Sequence, residues 1–105
     1  MIIQINTDKN IIGSQELTAS LTNLISEELS RFKDQITRLE VHLSDEDGNK
    51  KDGLNNMRCM LEARLENLQP IAVTEQSETP TKAVKGALKK LKSSIDSSIG
   101  RKKIY

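Results

Sequence analysis

The residues best placed to do chemistry are basic. Lys82, Lys85, Lys89, Lys90 and Lys92 recur along TPTKAVKGALKKLKSSIDSSIGRKKIY (residues 79–105), with Arg101, Lys102 and Lys103 close behind. A lysine ammonium is a point charge on a flexible stem, suited to neutralising phosphate and poor at reading bases. From Pro80 onward eight basic residues stand against one acid, Asp96, a formal +7. The rest of the chain sets eight basic residues against fourteen acids, a formal −6, so the net charge of +1 hides a strong separation. Such a row is either a phosphate-binding surface or a solvated helix face. Arg31 and Lys33 form a smaller basic pair, read first as charges at a helix end and second as RNA contacts.

Other chemistry is thin. His42 and Cys59 are the single histidine and the single cysteine, which excludes an intramolecular disulfide and a multi-cysteine zinc site. No metal role is read for His42, and Cys59, at a core position, reads as an inert buried thiol. Asp45, Glu46, Asp47 and Asp52 invite a calcium reading, but the EF-hand spacing and closing glutamate are missing and Lys50 and Lys51 intrude. The interval reads as a solvated hairpin. No nucleophile–base pair and no glycine-rich phosphate loop is recognisable, so the chain does not read as an enzyme and no cofactor is expected. Phe32 and Tyr105 are the only aromatics, which leaves no platform for stacking single-stranded bases. Structured RNA, recognised by shape and charge, fits better.

The elements that must carry these residues follow from periodicity. Thr79 and Pro80 are an N-cap and a first helical residue. Val84, Ala87, Leu88, Leu91, Ile95 and Ile99 then form an apolar helical stripe, with Gly100 as a C-cap. Upstream, Ile3 and Ile5 alternate with polar residues in a short strand. Ser14 caps a helix with Leu17, Leu21, Leu24, Ile25, Leu29 and Phe32 on one stripe, ended by Arg31 and Lys33. Thr37–Ser44 alternates: Leu39, Val41 and Leu43 face inward, and Arg38, Glu40, His42 and Ser44 face water. After the loop DEDGNKKDG (residues 45–53), Met57, Cys59, Leu61 and Ala63 alternate with Arg58, Met60, Glu62 and Arg64. A helical period also fits this stretch; the hairpin context favours a strand. Arg38, Arg58 and Arg64 read as cross-strand ion-pair partners of Glu40 and Glu62. Asn67–Pro70 is a turn and Ile71–Thr74 a last strand, with Glu75–Thr79 leading into the basic helix.

The expected fold is α+β, in the order β-α-β-β-β-α: a four-stranded, mostly antiparallel sheet with both helices packed on one face. Residues 1–100 read as a single domain and 101–105 as a basic tail. No apolar run is long enough to span a membrane and no signal-peptide layout opens the chain, so a soluble cytoplasmic protein is expected. The expected state is a monomer whose edge strand is capable of a weak dimer.

This order, with particular words in it, resembles the short hibernation-promoting factors and ribosome-associated inhibitors of bacteria. The matching text includes Ile3-Gln4-Ile5-Asn6, Phe32-Lys33-Asp34-Gln35-Ile36-Thr37, Val41-His42-Leu43-Ser44, Ala83-Val84 and Ala87-Leu88-Lys89-Lys90-Leu91. Lys90 matches a lysine of the family's Asp-Lys-Leu word. Two positions depart: Ser77-Glu78-Thr79-Pro80 stands where the family has Asp-Met-Tyr, and Ser93 where it has an arginine. The chain ends where long members continue into a dimerisation domain, so ribosome pairing through such a tail is not implied. The resemblance implies a stress-induced translation regulator bound to small-subunit rRNA in the tRNA and mRNA channel, acting by steric exclusion. The RNA-binding set would be Lys82, Lys85, Lys89, Lys90, Lys92, Arg101, Lys102, Lys103, Arg31 and Lys33, with no DNA or membrane partner. The acidic body, repelled by RNA, would leave the basic helix to enter first. The alternative is a protein-interaction module that keeps the fold and has lost the ribosome.

Overall fold

Strand β1 (Ile2–Thr7) is followed by helix α1 (Ser14–Glu28), strands β2 (Ile36–Asp45), β3 (Met57–Leu65) and β4 (Ile71–Ser77), and helix α2 (Pro80–Lys102). This computed structural model describes residues 1–9, 11, 14–46 and 57–102, with backbone alone at Ser14, Arg101 and Lys102. Most of the acidic hairpin loop, including Asp47 and Asp52, and Lys103 therefore lie outside the described residues.

The strands lie side by side as β1-β2-β3-β4. β1 runs parallel to β2 because α1 carries the chain back across the sheet, whereas β2–β3 and β3–β4 are antiparallel. Alternation decides which face is buried. Leu39, Val41, Leu43, Cys59, Leu61 and Ala63 are sealed against the helices together with Leu21 and Ile25 of α1. Ala83, Val84, Ala87, Leu88, Leu91 and Ile95 of α2 complete this aliphatic core. α2 lies over β3 and β4, and α1 packs against β1 and α2. The strand reading of residues 57–65 and the β-α-β-β-β-α order agree with this architecture.

Four details differ from the sequence expectation. β2 begins at Ile36, out of phase with Leu39, and a register break between Ile36 and Arg38 absorbs the mismatch. That bulge turns Arg38 outward while Ile36 stays buried beside its partner Leu65. β4 runs three residues past Thr74, with Glu75, Gln76 and Ser77 paired to Cys59, Arg58 and Met57. α1 stops at Glu28, and Arg31 belongs to a separate 3₁₀ turn (Ser30–Phe32), so no basic residue occupies the last turn of α1. Gly100 does not cap α2, whose backbone stays helical to Lys102.

Candidate nucleic-acid interface

α2 begins as its sequence dictates. The Thr79 hydroxyl accepts a hydrogen bond from the Lys82 amide at 3.1 Å, and Pro80 occupies the first helical position, where a missing N–H is harmless. With its apolar stripe buried, the opposite surface is fixed. At about 3.6 residues per turn, Lys82, Lys85, Lys89 and Lys92 fall within roughly 80° of arc. Lys90 sits apart, on the side facing β4.

Three of these five lysines are paired with a carboxylate, one locally along the chain and two across the fold. Lys82 Nζ lies 2.7 Å from Glu78 Oε1, one helical turn upstream. Lys92 Nζ donates to Glu28 Oε1 of α1 at 2.6 Å. That hydrogen bond, with the charges of Lys92 and Lys85 adding to it, holds the Glu28 carboxyl below the usual range, and Lys82 does the same to Glu78. Lys90 Nζ is bound twice, by Glu75 Oε1 at 2.7 Å and by the Thr74 carbonyl of edge strand β4 at 2.8 Å. Lys85, Lys89 and Lys33 are exposed and make no ion pair with another described residue. Arg101 and Lys102 continue the α2 backbone.

Arg31 is not a free helix-end charge. Its guanidinium donates to both carboxylate oxygens of Asp96, at 3.1 and 2.9 Å, and lies 4.0 Å above the Phe32 ring. The hydrogen bonds lower the Asp96 pKa and raise that of Arg31. The pair ties the 3₁₀ turn to the one acid of α2, and Arg31 joins the lysine row from the side. The sequence separates a basic helix from an acidic body; the fold interleaves them, because Glu28 of α1 and Glu75 of β4 each reach an α2 lysine, beside the local pair of Glu78 with Lys82.

A shallow groove follows the line where α2 meets β4. Lys89, Lys90, Ser93, Ser94, Val73 and Thr74 line its middle, and Ser97, Ser98, Pro70 and Ile71 one end. Arg58, Glu75 and Gln76 close the other end beside Lys90. Sequence reasoning missed this hydroxyl lining. Its trace was legible, since Ser93, Ser94, Ser97 and Ser98 stand in pairs spaced by four on the polar side of the stripe. Ser93, the position read as a departure, faces this groove beside Lys89 and Lys90. Hydroxyls next to ammonium groups make a surface able to contact phosphate oxygens and ribose.

The remaining candidates settle simply. Cys59 is completely buried, and burial pushes its thiol up to about 12, so it carries no thiolate chemistry. Arg38, Arg58 and Arg64 do not form the cross-strand ion pairs expected of them. Register places Arg38 opposite Arg64 and Glu40 opposite Glu62, so like charges face each other. Arg38 instead pairs along its own strand with Glu40 at 3.2 Å and donates to Gln4 of β1. The described helices include none long and apolar enough to cross a membrane.

Comparison with known proteins agrees with this architecture. The N-terminal domain of Protein Y from Thermus thermophilus superposes with a TM-score of 0.64 at 18% identity, covering 90% of this chain and 96% of that one. A ribosomal subunit interface protein from Coxiella burnetii gives 0.67 at 17% identity, covering 92% and 96%. No curated protein matches the sequence. The family model described as Sigma 54 modulation protein / S30EA ribosomal protein matches residues 9–103, nearly the whole chain, and with its β-α-β-β-β-α fold the chain belongs to that family.

Proposed function

We propose that this chain is a ribosome-associated translation regulator, a hibernation factor. In this reading it binds small-subunit rRNA in the tRNA and mRNA channel through the basic face of α2 and blocks translation sterically under stress, in the cytoplasm. The observation that carries the reading is the lysine face of α2, continued by Arg31 and bordered by the serine-lined groove. Family membership supports it, as does the subunit-interface name of the Coxiella burnetii relative. No bond is made or broken in this mechanism; the work is charge neutralisation and occupancy of space.

The test is co-sedimentation of the purified protein with small ribosomal subunits at two salt concentrations. With five to seven phosphates neutralised, affinity falls by about two to four decades for a fourfold rise in salt. The Lys89→Ala/Lys90→Ala/Lys92→Ala variant binds more weakly and lowers the salt slope by about three. Absence of binding at low salt overturns the proposal and favours a protein partner.

A further inference from the structure

Glu40, His42 and Glu62 stand together on the open face of the sheet, away from α2. β2 supplies Glu40 and His42, two residues apart and therefore on one face, and β3 supplies Glu62 directly opposite Glu40. Two carboxylates in that register repel each other unless a cation lies between them. Arg38 occupies only the outer oxygen of Glu40, with Nε 3.2 Å from Oε2. The other oxygen, Oε1, is 3.7 Å from His42 Nε2, and Glu62 Oε1 is 3.1 Å from the same nitrogen.

We propose that Glu40, His42 and Glu62 form a binding site for a divalent transition-metal cation of the zinc class. A tetrahedral zinc ion with bonds of about 2.0–2.1 Å needs its ligand atoms roughly 3.3–3.4 Å apart. The two nitrogen–oxygen distances, 3.1 and 3.7 Å, straddle that value, and the three ligand atoms lie within 4.8 Å of one another. A second observation points the same way. His42 Nε2 is sealed from solvent although its side chain as a whole is 36% exposed, and its contact with Glu62 Oε1, at 3.1 Å, lacks the angle of a hydrogen bond. An imidazole nitrogen turned from water toward two carboxylate oxygens is the donor set that a borderline cation takes. Two carboxylates and a neutral imidazole balance a dication, and Arg38 fixes Glu40 from behind, as outer-shell partners of metal ligands do. Three protein ligands leave one position open to water or to a group from a partner. The sequence offers His42 no second histidine or cysteine cluster; its companions are carboxylates supplied by strand register.

The experiment uses the untagged full chain, stripped with a chelator and titrated with zinc sulfate by calorimetry and by nuclear magnetic resonance. His42 is the only histidine, so its imidazole signals report on the site directly. The expected result is one zinc per chain, shifted imidazole resonances, and no such shift with magnesium. His42→Ala and Glu62→Gln, both on the solvent face, each weaken binding by roughly tenfold or more, whereas Cys59→Ser leaves it unchanged. Circular dichroism of both site variants checks that the fold persists. Three results each overturn the proposal: no saturable binding below about 1 mM zinc, unmoved imidazole signals, or full-strength binding in folded His42→Ala.

Discussion

Arg31 illustrates how far a single residue's role can lie from its sequence context. Next to Lys33 it reads as a charge ending α1, yet its guanidinium is clamped by Asp96, sixty-five positions away, and stacked on Phe32. Nothing in local periodicity announces a partner at that distance. The consequence is a pH dependence whose sign is fixed. The folded-state pKa of Asp96 is depressed by the Arg31 hydrogen bonds, and those of Glu28 and Glu78 by Lys92 and Lys82. Such a carboxylate stabilises the fold fully above its unfolded value of about 4 and loses that contribution as pH falls through the lowered folded value. Thermal unfolding followed between pH 6 and pH 2 should therefore show a Tm that declines below about pH 4. Asp96→Asn should remove part of the decline, and a pH profile identical to the native one would refute the role given to Asp96.

At the level of elements, sequence pattern was most reliable where one face is buried. The alternations of β2 and β3, the α2 stripe and the Thr79-Pro80 start all follow from apolar spacing or capping chemistry. It failed where a tertiary partner overrides the local signal. Glu75 ends the apolar run of β4, so its pattern stops at Thr74, yet the strand continues because Glu75 meets Lys90 and the gap left by Gly86. The bulge between Ile36 and Arg38 was likewise hidden, since it reveals itself only as two inward residues out of phase. Gly100, with open space around it, needs no left-handed conformation and simply continues the helix. Gly86 is the informative glycine. A β-carbon there would fall 2.6 Å from Glu75 Oε2 and 2.7 Å from its Cγ, so that mobile side chain would have to swing away from Lys90. Gly86→Ala should gain about 1 kcal/mol of helix propensity and lose an exposed ion pair worth roughly 0.2–1 kcal/mol. Denaturant unfolding should thus report unchanged or slightly raised stability. A loss beyond about 2 kcal/mol would mean that Glu75 cannot move.

Across the whole molecule, the separation of charge along the chain becomes a mixed surface in space. Strand pairing and helix packing bring Glu75 and Glu28 against Lys90 and Lys92, and Glu78 meets Lys82 four residues along the chain. Replacing the three glutamates with glutamine should raise affinity for small subunits at low salt and steepen its salt dependence, measured by the same co-sedimentation. Unchanged affinity would show that these acids do not compete with RNA. The Lys90 tether carries this furthest, because the ammonium already has a carboxylate and a backbone carbonyl. A solitary anion drifting past offers it nothing it lacks. Only a surface that presents many negative charges at once can displace several internal partners together. The acidic fringe would then act as a filter, raising the threshold for engagement and rejecting sparse polyanions.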